Sequence, residues 1–225
     1  MINEFKVKWV SKDYLNSVAI KFLKEYNPHN IIPVPIEHII EYDLNMDIIP
    51  IPGLKDSFGD EGFDIDAFIS SDLQSITVEQ HTMVKMENRY RFTLAHEIAH
   101  KLLHEDIYQK FKFGNLDEWV SIISDMQSLD ALKKERDTAE WQADELAGRI
   151  LVPKAILIDK FDKEQNITIK TYSKDHPDFI IYSDYVDYLD FVIDVTIHSL
   201  AQTFIVSDNV VRIRLERDGI IERHK

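Results

Sequence analysis

The stretch RFTLAHEIAHKLLH, Arg91 to His104, sets three histidines and a glutamate at helical spacing. Residues four apart on a helix lie one above the other, so His96 and His100 can aim their imidazoles at one point. Neutral imidazoles so placed suit zinc, and Glu97, displaced to the side of the pair, can reach a water without serving as a ligand. The chemistry on offer is hydrolysis. Zinc lowers the pKa of a water toward about 7 and polarises a carbonyl, while the glutamate takes the water's proton and returns it to a leaving amine.

Two histidines leave the site incomplete, and the best third ligand is Glu140, which opens EWQADELAGRILVP on a second helix with apolar surface to pack against the first. Asp144, four residues later, shares its face and is expected to accept the remaining ring N–H of a ligating histidine, His96. His104 is the rival third ligand. Eight residues of rise put it roughly 12 Å along the axis from His96, so on an unbroken helix it is expected near the cleft or in a supporting hydrogen bond. Tyr90, Tyr108, His81 and His104 are further candidates to stabilise an oxyanion, and Arg149 to meet the first helix or a substrate carboxylate. Against all this stands an amphipathic helix with chance histidines. The second motif downstream weighs against that plain alternative.

These side chains need a scaffold, and the pattern of the chain predicts an α+β fold, mostly helical with a small sheet. DYLNSVAIKFLKEY (Asp13 to Tyr26) and IEHIIEYDL (Ile36 to Leu44) read as helices. MDIIPIPG, DAFISS and SITVEQ read as short strands, and the prolines of IIPIP argue against a central position for the first. The histidine helix is expected to be buried on most sides from Tyr90 to His104, and the ExxAD helix to run from Thr138 to Leu151. Between them the charged stretch from Glu105 to Asp137, with a helix in DEWVSIISDMQSLDALKKE, is open as a lid or as surface packing. AILIDKFDKEQ reads as a helix, NITIKTYSKDHPD stays unassigned, and two helices close the sequence, the last capped by Ser207. The expected organisation is a catalytic core over residues 1–155 and a helical tail over 156–225.

Composition narrows the function classes. Forty acidic residues against 26 basic ones give a net charge of −14, which argues against a broad nucleic-acid-binding face. The absence of cysteine excludes disulfides, thiolate metal sites and a cysteine nucleophile. MINEFKVKWV lacks the apolar core of a secretory signal and no run approaches a membrane span, so the expectation is a soluble cytoplasmic protein without membrane partners.

The two motifs together resemble the ImmA/IrrE family of metallopeptidases, the likeness being strongest over about residues 10 to 155. The resemblance implies a zinc-dependent endopeptidase of gluzincin-like plan, with one Zn2+ per chain held by His96, His100 and Glu140 and with Glu97 as the catalytic glutamate. It also implies a partner: members commonly accompany a DNA-binding repressor and cleave it, relieving repression of mobile-element or stress-response genes. The implied substrate is therefore a helix-turn-helix repressor or an antitoxin-like regulator. Asp144, Leu146 and Val152 depart from the asparagine, phenylalanine and methionine usual in relatives, exchanges that leave the hydrolytic chemistry in place. LAQTFIVSDNVVRIRLERDGII is similar to the family's helical tail. Arg212, Arg214 and Arg217 could meet phosphates there, but the interleaved apolar residues favour a structural tail over a DNA reader. The alternative function is a non-catalytic, metal-containing regulator of transcription or protein interaction, against which the intact Glu97 argues.

Overall fold

The computed structural model describes residues 6–54, 66–110, 130–172 and 185–222. They fall into two compact units that divide between Leu151 and Val152.

In the first unit, Ser11 caps α1 (Lys12–Tyr26) by accepting from the Tyr14 N–H. Leu15, Ala19 and Phe22, spaced four and three apart, form its buried stripe. The segment read as one short helix from Ile36 is a single α-turn, α2 (Ile36–His38), that widens over Ile39–Asp43 into five-residue hydrogen bonding, with the Leu44 N–H donating to the Ile39 carbonyl at 2.9 Å. Ile36, Ile39 and Ile40 are all fully buried, and the wider turn carries the three isoleucines onto the same core.

The sheet has three strands in the order β1 (Asp47–Ile51), β3 (Ser75–Glu79), β2 (Ala67–Ile69). β1 runs parallel to β3 with Pro50 opposite Val78, and β2 runs antiparallel with Phe68 opposite Thr77. Pro50, which has no N–H to donate, therefore sits on an edge strand, the place its chemistry allows.

Glu79 caps the short α3 (Gln80–Lys85), and α4 (Glu87–Lys110) follows. α4 packs on β2 and, most extensively, on α5 (Asp130–Leu151), which also holds α1. The histidine helix thus extends beyond Tyr90 and His104 at both ends, and the ExxAD helix begins before Thr138. Residues 111–129, which include most of the helix expected in DEWVSIISDMQSLDALKKE, lie outside the described residues. Leu94, Ile98, Leu146 and Ile150 are fully buried, as are Ala95, Ala99, Ala143 and Ala147. At roughly 1.5–3 kcal/mol for each large side chain removed from water, this seam is a principal source of the unit's stability.

The second unit contains α6 (Lys154–Thr171), α7 (Tyr185–Phe204) and α8 (Asp208–Arg217). α6 absorbs the start of the unassigned NITIKTYSKDHPD. Its β-branched run is a modest cost to a helix, offset where Thr168 is buried, bonds back to the Glu164 carbonyl and meets Thr196. The rest of that segment, residues 173–178, lies outside the described residues. Ser207 caps α8 by accepting from Val210 N–H. Of the tail's arginines, Arg214 is buried and donates to Asp218, while Arg212 donates to Asp194 at 2.5 Å. Among the described residues, no single helix is long and apolar enough to cross a membrane.

Candidate metal centre

His96 and His100 stand one turn apart on α4, with their Nε2 atoms 3.0 Å from one another. From α5, Glu140 brings one carboxylate oxygen to 3.2 Å from His96 Nε2 and the other to 3.6 Å from His100 Nε2. The three ligand atoms all lie within 4.8 Å of one another, a spacing that could hold a metal ion. Two imidazole nitrogens, one carboxylate oxygen and room for a fourth ligand make a donor set that suits zinc in a hydrolytic site.

Asp144, one turn beyond Glu140, places Oδ1 2.9 Å from His96 Nδ1. Its carboxylate accepts the Nδ1 proton and leaves Nε2 for a metal. Burial of the His96 ring opposes a charge, but the hydrogen bonds to Asp144 and Glu140 outweigh it and raise the pKa to about 10. Burial likewise works against the Glu140 carboxylate, and the two histidines overcome it, holding that group well below its ordinary value. The metal-free cluster is thus an ion pair, with a proton on His96 where a metal would sit.

Glu97 points from the neighbouring face of α4 toward the sheet, where the backbone N–H of Ile69 on edge strand β2 donates to Oε2 at 2.9 Å. Its side chain is buried, and burial raises its pKa, with the nearby histidines pulling the other way. The result is a carboxylate more basic than one in water, held by one oxygen with the second left for other work.

α4 is not straight. His104 leaves the helical conformation, with φ −125° and ψ 16°. Its ring lies buried, with Nδ1 3.0 Å from His100 Nδ1 and Nε2 3.0 Å from Gln142 Oε1 on α5. Burial, reinforced by His100, lowers its pKa to about 4, so the ring is neutral. His104 is therefore a hydrogen-bonded neighbour of a candidate ligand, at a bend and not on an unbroken helix. Beyond the bend, the Tyr108 ring centroid comes to 5.9 Å from that of His100. Burial and the charges of Glu97 and Glu140 raise the Tyr108 hydroxyl well above its usual pKa, which keeps it protonated.

The other singled-out residues lie elsewhere. The Tyr90 hydroxyl donates to Glu37 at 2.9 Å, about 9 Å of helical rise back from His96. His81 is exposed on α3. Arg149, buried, donates to Glu145 within its own helix and to Asn16 on α1, so it is held by α1 and not by the histidine helix or at a substrate's disposal. The residue that sequence reasoning missed is Gln142. Its signal in EWQADELAGRIL is slight, an amide at helical spacing from Glu145, Leu146 and Arg149, and nothing in the spacing says that it meets His104.

A buried HExxH helix crossed by a second helix that supplies a glutamate defines the class of metal-dependent hydrolases with a His-His-Glu donor set. More particularly, the family model described as the IrrE N-terminal-like domain, Peptidase_M78, matches residues 75–216, and the chain belongs to that family of metallopeptidases. The match runs from β3 through nearly all of α8, so it includes the second unit as well as both motif helices. Comparison with curated proteins produced no match.

Proposed function

We propose that the protein is a zinc-dependent endopeptidase acting on a cytoplasmic regulatory protein, a helix-turn-helix repressor or an antitoxin-like regulator. The observation that carries the hydrolytic reading is the convergence of His96, His100 and Glu140 with the raised, half-tethered carboxylate of Glu97 beside them. The substrate class rests on the likeness of the chain to peptidases that accompany repressors.

Held by His96, His100 and Glu140, zinc supplies Lewis acidity, acidifying a water molecule and polarising a carbonyl. Glu97 accepts the proton of the attacking water, its basicity raised by burial, and delivers it to the nitrogen of the departing amine. The Ile69 N–H restrains one oxygen of Glu97 while that transfer proceeds. Tyr108, kept protonated by burial and by the two carboxylates, is the candidate donor for charge developing on the carbonyl oxygen. Asp144 keeps the His96 ring turned so that Nε2, and not Nδ1, faces the cluster.

The test pairs the purified protein with candidate helix-turn-helix repressors and compares wild type with Glu97→Gln. Wild type should bind near-stoichiometric zinc and cut a repressor among them. Glu97→Gln should keep the metal and lose cleavage by about 10²–10⁴-fold. Derepression that persists with Glu97→Gln would sink the peptidase reading in favour of a non-catalytic regulator.

A further inference from the structure

We infer that His104 and Gln142 are positioning residues that fix the tautomer of His100, with the backbone carbonyl of Lys8 as the fixed end of the chain. The inference deepens the metal-centre reading and rests on it.

The direction of every bond in the chain follows from the one group whose role cannot change. A backbone carbonyl only accepts hydrogen bonds. Gln142 Nε2 lies 3.0 Å from the Lys8 carbonyl, so the amide nitrogen of Gln142 is the end that faces Lys8. The same side chain therefore turns Oε1, which also only accepts, toward His104 Nε2 at 3.0 Å. His104 must carry its proton on Nε2. A neutral imidazole has one N–H, so His104 Nδ1 presents a lone pair to His100 Nδ1, 3.0 Å away. His100 Nδ1 must then be the donor, which leaves Nε2, facing His96 Nε2 and Glu140, as the nitrogen available to a metal.

Reversing any link moves a proton onto the nitrogen that a metal needs. If His104 donated from Nδ1, His100 would accept there and carry its own proton on Nε2. The bend of α4 falls at this very residue, and both His104 and Gln142 are almost fully buried, so water does not compete for these bonds. The two candidate ligands are thus oriented by different chemistry: His96 by the exposed carboxylate of Asp144, His100 by a neutral chain anchored on the extended segment before α1.

Two measurements test this. Long-range nitrogen–proton NMR of the histidine rings in the metal-free protein should show His104 protonated at Nε2 alone and His100 at Nδ1. A proton on His104 Nδ1 overturns the inference. Zinc affinity, read by competition with a chromophoric chelator while circular dichroism monitors the fold, should fall about 10–100-fold in His104→Leu. It should stay within several-fold of wild type in His104→Asn, whose amide oxygen replaces Nδ1 as the acceptor. Both variants give up the bond to Gln142, so the difference between them isolates the acceptor facing His100. Equal affinity in wild type and a folded His104→Leu overturns the inference, and if His104→Leu does not fold the ring spectrum of wild type decides. A wild type that takes up no zinc overturns the metal reading, and the ring spectrum then still decides the chain of tautomers.

Discussion

Zinc should displace a proton from His96, and the size of that competition follows from the geometry. In the metal-free cluster His96 donates from both ring nitrogens, to Asp144 and Glu140, and its pKa stands at about 10. At pH 7 the ring is an imidazolium, and the Nε2 lone pair becomes available only after the proton leaves. Three pH units correspond to a factor of about 10³, or about 4 kcal/mol, subtracted from the intrinsic zinc affinity. Isothermal titration calorimetry at pH 7, in buffers of different ionisation enthalpy, should count about one proton released per zinc, with affinity rising roughly tenfold per pH unit up to pH 9. Carrying out the titration on Glu97→Gln removes the other buried carboxyl from the count. Asp144→Ala, which deletes the first of the two hydrogen bonds that raise the pKa, should lower that pKa and with it the proton release. The sign carries over to stability. A pKa raised in the folded state contributes fully below about 6.5 and is lost as pH rises toward 10, so the metal-free protein should lose melting temperature over that window while the zinc form does not. Zinc binding with no proton release at pH 7, or the same release from Asp144→Ala, would refute the ion-pair account of the cluster.

Removing the third ligand should separate metal binding from folding: Glu140→Ala, at a half-exposed site, is expected to lose more zinc affinity than the roughly 10–100-fold typical of an outer partner while keeping the wild-type circular dichroism spectrum. Leu146→Ala opens a cavity in the fully buried seam between α4 and α5 and should cost about 2–5 kcal/mol, read as a lower urea midpoint at unchanged m-value. Arg149→Met takes the ion-pair partner from the buried Glu145 carboxylate and should cost about 3–5 kcal/mol, and the double variant Arg149→Met with Glu145→Leu should recover most of it in the same urea titration.

What could be read from the sequence is what depends on spacing within one element. His96, Glu97 and His100 are related by a single helical turn, and Glu140 and Asp144 by another, so each set declares its own face. That the two faces meet is a tertiary fact, yet the apolar residues beside each motif announced it. The bend at His104 was not legible, because it arises from hydrogen bonds to His100 and to Gln142 on another helix, and neither appears in the local pattern of KLLH. The hold of β2 on Glu97 was equally hidden, since a backbone N–H leaves no trace in residue type. The wide turn at Ile39 and the continuation of α6 through NITIKT show the same limit, with burial of particular side chains overriding local preference. Pro50 was the opposite case: its missing N–H excluded the middle of a sheet, and the strand lies at the edge.

The alanines of the seam have a further consequence. Ala99 lies on the strip of α4 that carries His96 and His100, and Ala143 on the strip of α5 that carries Glu140 and Asp144. Small side chains on these strips let two packed helices approach closely, and the gap across which Glu140 must reach depends on that approach. Coordination distances are in this sense calibrated by two side chains that never touch the ion. A bulkier residue at either position would act as a spacer and lengthen the carboxylate arm of the site while leaving all of its donors in place.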